Sequence, residues 1–219
     1  MDQIPSDNNG IASYRINSKL SRGVPRNDAD GDDLSDCSAL IKIKADGSDM
    51  YAGHTTWRSF GIINKMYKYV TMPNLKNPIA VSYASSPGFL SSKDDYYVTS
   101  NGLVVMETTN SLFNKELYKF ITPKSVLCWV RSIVANHLAT NGSSWTHYFA
   151  MYNSGSYNNQ FMVLDYKKFT PGQPIKNDTL WILEQLPGAV AMADVSSVLR
   201  KQGFWKSYNI PYFVDSMFF

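Results

Sequence analysis

The run Cys37-Ser38-Ala39-Leu40-Ile41-Lys42-Ile43-Lys44 constrains this chain most. Side chains on a strand point to alternate faces, so Ala39, Ile41 and Ile43 fall on one side and Leu40, Lys42 and Lys44 on the other. Asp46-Gly47 is a turn signal, and Met50 to His54 returns as a second strand. The two make a hairpin with one apolar face to bury. It opens on a cysteine and brings His54 back toward that same end.

A cysteine at the head of a strand has a chemical reading. If the chain is cut between Asp36 and Cys37, Cys37 becomes a terminus carrying both a thiol and a free α-amine. Such an amine titrates at roughly 7.7–8.0 and a thiol near 8.5. The amine can therefore act as general base for its own thiol, with no histidine required. On residue types alone, a buried thiol that only packs is the commoner fate of a cysteine.

Composition removes several function classes. With 219 residues and 44% hydrophobic side chains, the chain can bury one sizeable core. No window approaches ~18 uninterrupted apolar residues, so no transmembrane segment is expected. A net charge of +3 without a dense Lys/Arg cluster argues against nucleic acid as a partner. Residues 1–36 hold four basic residues and seven Asp, an acidic leader ahead of a basic body. The run Asn27 to Asp33 lacks the Glu that closes a calcium loop and reads as a linker suited to cleavage.

Two distant cysteines and three scattered histidines form no metal site, and neither a Gly-x-Ser-x-Gly elbow nor a phosphate loop is present. No metal or cofactor is expected. A Cys37–Cys128 disulfide is possible but unnecessary at this size, and Cys128 reads as a packing residue in an apolar helical run. His137 and His147, also on helical runs, read as structural, and Asp94-Asp95 as turn residues beside a strand. Asn141-Gly142-Ser143 and Asn177-Asp178-Thr179 are glycosylation sequons, relevant if the chain is secreted.

Periodicity predicts helices over 57–70, 111–121, 125–140, 144–152 and 193–202, the last closed by Gly203. It predicts strands at 79–83, 96–99, 103–107, 160–166 and 179–186, with a short strand or helical turn within 11–20. Elements in blocks rather than strict alternation point to an α+β fold. Asn153 to Gln160 is rich in amide donors, and read alone it is a helix-exit turn.

Several blocks carry a resemblance: Cys37-Ser38-Ala39-Leu40-Ile41-Lys42, Gly53-His54-Thr55-Thr56-Trp57, Asn153-Ser154-Gly155-Ser156-Tyr157-Asn158-Asn159-Gln160, Leu199-Arg200-Lys201-Gln202-Gly203 and Tyr208-Asn209-Ile210-Pro211. In order and spacing they resemble the phospholipase B-like (lamina-ancestor) family, a branch of the N-terminal-nucleophile hydrolases. The resemblance implies a four-layer αββα sandwich, with 1–36 as a leader removed by self-cleavage at Asp36–Cys37 and 37–219 as the hydrolase core.

It implies Cys37 as nucleophile, His54 as its tuning partner, and Asn158 and Asn159 as oxyanion donors. Trp57, Thr55 and Asn153 would line the substrate site. Thr55 stands where relatives commonly carry Asn, which puts specificity in question. The implied substrate is a lipid acyl ester or an N-acyl amide. The alternative is a catalytically silent binding glycoprotein. Lysosomal or secreted placement follows from the resemblance alone, which also allows a homodimer. Family members are longer at both ends and begin with a signal sequence. The first 20 residues here hold no apolar h-region, so a fragment is expected.

Overall fold

The computed structural model describes residues 12–15, 37–57 and 60–213. In chain order the elements are β1 (Ala12–Arg15), β2 (Cys37–Ile43), β3 (Met50–Thr56), β4 (Met66–Val70), β5 (Val81–Ser85), β6 (Tyr96–Thr99), β7 (Leu103–Thr109), α1 (Cys128–Leu138), α2 (Gly142–Ala150), β8 (Asn159–Asp165), β9 (Leu180–Leu186), β10 (Ala189–Asp194), α3 (Ser196–Gln202) and β11 (Phe204–Ser207). Eight strands form one antiparallel sheet in the order β1-β10-β9-β8-β7-β6-β5-β4. Three form a second, β11-β2-β3. The fold is α+β, with few helices.

The hairpin forms as its alternation requires. Cys37 pairs with Thr56, Ala39 with His54 and Ile41 with Ala52. Ala39 and Ile41 are buried, whereas Leu40 between them is 47% exposed. β11 pairs with the other edge of β2, setting Ser207 opposite Ala39.

The large sheet buries both faces. Against one pack α1 and α2, where Cys128, Ala135, Trp145 and Phe149 meet Val105, Phe161, Val163 and Leu183. Trp145 stacks on Phe149 with ring centres 4.9 Å apart, and Phe149 lies 4.4 Å from Phe161. Against the other face lies the small sheet, with Ala39, Ile41 and Met50 facing Met106, Met162, Leu180 and Ile182. This double burial explains why β8 is buried at every position rather than at alternate ones. A helical layer over the outer face of the small sheet is not among the described residues, and Tyr51 on that face is 58% exposed.

Local chemistry sets the ends. Asn141 caps α2 reciprocally, accepting from Ser144 N at 2.8 Å while Asn141 N donates to Ser144 Oγ at 3.1 Å. Gly203 closes α3 at φ +74°, as its position predicts, and Gly203 N donates to Leu199 O.

Three expected helices are corrected. Residues 57–70 hold a 3-10 turn at Phe60–Ile62 and then β4, not an amphipathic helix. The supposed stripe Phe60, Ile63, Met66 and Tyr67 is exposed throughout, so helical spacing there marks no buried face. Residues 111–121 make only the 3-10 helix Lys115–Phe120, capped by Asn114. The helix assigned to 193–202 begins at Ser196, because Ala193 and Asp194 end β10, which pairs tightly with β9. The short strand expected within 11–20 is β1. The acidic run Asn27 to Asp33, and Asp36, lie outside the described residues. Cys37 and Cys128 are not joined in a disulfide.

Candidate active site

Cys37 opens β2 with its side chain on the face turned to the large sheet, and it is 2% exposed. Strand parity puts Thr56 and His54 on this same inner face, opposite Cys37 and Ala39. Thr55 lies between them and is exposed, its hydroxyl 3.4 Å from Ser38 O. Trp57 follows the strand and is 57% exposed. The hairpin thus groups Cys37 with His54 and turns Thr55 the other way.

His54 is held firmly. Its Nε2 lies 2.7 Å from Glu107 O, and a carbonyl can only accept, so Nε2 carries the proton. Nδ1 is then the basic nitrogen, 3.5 Å from Thr56 Oγ1. Burial lowers the imidazole pKa. The bond to the Glu107 carbonyl and the nearby Asp94 charge oppose that shift without reversing it.

The backbone nitrogen of Cys37 donates to Asn209 Oδ1 at 3.1 Å, across 172 positions of sequence. Asn209 also donates from Nδ2 to Thr109 O at 2.6 Å and from its backbone N to Thr108 Oγ1 at 3.3 Å. Thr108 and Ser207 share a 2.6 Å hydroxyl contact. Asn209 sits at φ +66°, a left-handed conformation that Asn tolerates better than most residues. The residue that grips the Cys37 nitrogen is therefore Asn209. It lies within the block Tyr208-Asn209-Ile210-Pro211, and an Asn directly before Ile-Pro after a strand was the available signal.

The loop amides are placed differently. Asn153 is fully engaged: Nδ2 donates to Leu186 O and Ala189 O, and Oδ1 accepts from Gly155 N and Arg131 Nη2. It pins the exit of α2 to the β9–β10 turn. Asn159 opens β8 with the parity of Phe161 and Val163, which pack against the helices. With its amide nitrogen turned toward them, it donates to Asn158 O at 2.7 Å and Glu107 Oε2 at 2.9 Å. Asn158 precedes the strand, and its buried Oδ1 has no hydrogen-bond partner.

Behind Glu107, on the helix side, lies a buried acidic group. Tyr157 OH donates to Glu107 Oε1 at 3.0 Å, and Tyr97 OH donates to Asp95 Oδ1 at 2.9 Å. Burial pushes the Asp95 carboxyl up to about 6, against hydrogen bonds from Glu107 and Tyr97. Asp95 is a turn residue beside β6, as its sequence suggests, but a buried one. Cys128 packs beside Arg131 and Gln185, and burial pushes its thiol up to about 12. His137 is buried with Nδ1 2.9 Å from Ile79 O. A cleft of about 420 Å³ opens between α1 and β4–β6, on the helix side and thus across the large sheet from Cys37.

Of the two sequons, Asn177 is exposed and accepts from Arg200, while Asn141 is the half-buried cap of α2. No group of three or more metal-ligating side chains occurs among the described residues. No helix among them is long and apolar enough to cross a membrane.

An α+β scaffold of two facing antiparallel sheets, with a strand-opening cysteine clasped through its own nitrogen, defines the class. The model of the phospholipase B family matches residues 7–217, and the chain belongs to that family. It is 49% identical to phospholipase B-like protein G of Dictyostelium discoideum over 191 residues, covering 83% of this chain and 32% of that protein. It is 43% identical to phospholipase B-like 1 of Rattus norvegicus over 184 residues, covering 82% and 33%. Phospholipase B-like protein A of Dictyostelium discoideum is 48% identical over 182 residues, with 81% and 32% covered. The chain spans about a third of the length of these relatives.

Proposed function

We propose that this chain carries the nucleophile of an N-terminal-cysteine acyl hydrolase, freed by scission of Asp36–Cys37, with 37–219 as its core. The observation that carries the reading is the grip of Asn209 on the Cys37 nitrogen. That atom is the leaving group of the scission and, once freed, the general base beside the thiol. In the intact chain Asn209 Oδ1 fixes the amide. In the cleaved chain the same oxygen orients the amine so that its lone pair can take the thiol proton. Burial of His54 disfavours its charged form and so works against a second positive charge on this face of the hairpin.

The reaction forms a bond from Sγ to a substrate carbonyl carbon and expels an alcohol or amine. Water then cleaves the thioester and releases the acid. The family name supports a lipid ester, and an N-acyl amide would use the same steps. Asn158 and Asn159 enter this reading as oxyanion donors through their amide nitrogens, on the family resemblance of their block. A fourth, helical layer over the exposed face of the small sheet belongs to this reading. So does a lysosomal or secreted setting, in which Asn177 carries a glycan.

Intact-mass analysis and N-terminal sequencing test the scission. A new terminus at Cys37, abolished in Cys37→Ala, is expected. One observation favours the silent binding glycoprotein instead: Cys37 is 2% exposed. A single uncut chain whose Cys37 resists alkylation would favour that reading.

A further inference from the structure

We propose that Glu184 is a positioning residue of this site, acting on Cys37 through the segment 208–213; the proposal rests on the hydrolase reading above. Glu184 lies on the inner face of β9, 1% exposed, in the same layer as Leu180 and Ile182. Register places it in a polar row across three strands, with Thr108 opposite Gln160 and Gln160 opposite Glu184. The row leads from the middle of the sheet to Thr108, whose hydroxyl meets both Ser207 and Asn209 N.

A carboxylate in an apolar layer is costly unless its acceptors are used. Here they are. Oε1 accepts from Tyr212 N at 2.5 Å and from Gln160 Nε2 at 2.6 Å, and Oε2 accepts from Phe213 N at 3.1 Å. Gln160 keeps its nitrogen turned to this carboxylate although its own Oε1 is left buried without a partner. An apolar side chain would fill the same space. What Glu184 adds is a two-point grip on consecutive backbone N–H groups, which fixes both the place and the direction of the chain there.

Three residues upstream of that grip is Asn209. Pro211, with its φ locked by the ring, stands between them, so the link is short and stiff. Phe213 is buried in the inter-sheet core, and the Tyr212 ring lies 4.8 Å from Trp205, so the downstream end is anchored by packing as well. One end of the segment is clamped by Glu184 and the other presents Oδ1 to the Cys37 nitrogen.

The test is Glu184→Gln in the full chain, beside Ile182→Val as a core change on the same face of the same strand. Gln keeps the shape but replaces one acceptor with a donor, so one N–H of the grip loses its partner. The rate at which the Cys37 terminus appears, and kcat for an acyl reporter ester, should fall about ten- to hundred-fold with KM within about twofold, the cost of misplacing a reacting group by about 1 Å. Ile182→Val should leave both near wild type. Hydrogen exchange followed by mass spectrometry supplies a readout independent of turnover. In the uncut chain of Glu184→Gln, exchange at the Cys37 amide should quicken about ten-fold or more, while α1 and α2 keep their protection. Wild-type rates in Glu184→Gln, or losses no larger than in Ile182→Val, would overturn the proposal. If wild type never shows a Cys37 terminus, the hydrolase reading fails by itself. The exchange at Cys37 then decides whether Glu184 positions Asn209.

Discussion

Asp95→Asn should reshape the pH dependence of stability in a calculable way. The folded carboxyl titrates at about 6 rather than 3.8, with burial the largest cause and Asp94 adding to it. Hydrogen bonds from Glu107 and Tyr97 and the charge of Lys93 oppose it. Because the folded value lies above the unfolded one, the native state keeps a proton that the unfolded chain releases between those two pH values. The contribution is fully present below pH 3.8 and is lost as pH rises through 6. A shift of about two pH units at ~1.4 kcal/mol each gives about 3 kcal/mol. Asparagine keeps the oxygen that accepts from Tyr97 OH and does not titrate. Urea denaturation at intervals from pH 4 to 7.5 measures both proteins. The Asn variant should gain about 3 kcal/mol on wild type across that range, most of it before pH 7. His54 works the other way, since its lowered pKa removes stability as pH falls below 6.5. It does so in both proteins and cancels in the difference. Parallel curves for the two proteins would refute the assignment of a neutral, buried Asp95 at acid pH.

Other substitutions follow from the same geometry. Asn209→Ala removes the acceptor for Cys37 N and the donor to Thr109 O, so scission at Cys37 should slow at least ten-fold. Stability should fall by about 1–3 kcal/mol, read by mass analysis and urea titration together. In Gly155→Ala a Cβ would stand 2.1 Å from Pro187 N at φ +59°. Strain and overpacking of about 2–4 kcal/mol should lower Tm by about 5–15 °C in a thermal melt. Cys128, with its thiol pushed up to about 12, should resist iodoacetamide in the native protein at pH 8 and react once unfolded, as peptide mapping would show.

What could be read from the sequence was whatever is local and periodic. The β2–β3 hairpin announces its own register through alternation and Asp46-Gly47, and that suffices to seat His54 near Cys37. The stretch 57–70 misleads because its helical spacing and its β-forming Tyr67-Lys68-Tyr69-Val70 compete, and pairing with β5 decides for the strand. The faces taken by the loop amides were hidden for a sharper reason. A strand shifts its side chains to opposite faces with each residue, so whether Asn159 or Gln160 looks toward the cysteine depends on where β8 is registered against β7. Composition cannot say that. Register gives Gln160 the inner face, shared with Thr108 and Glu184, and gives Asn159 to Glu107 on the helix side. Asn209 was harder still, since its bond to Cys37 exists only once β11 has paired with the far edge of β2. The polar surroundings of this thiol are therefore a product of two sheets meeting: the cysteine comes from the small sheet, and the row Thr108, Gln160 and Glu184 comes from the large one. Either sheet alone would leave its inner face, and with it the cysteine or the acid, open to solvent.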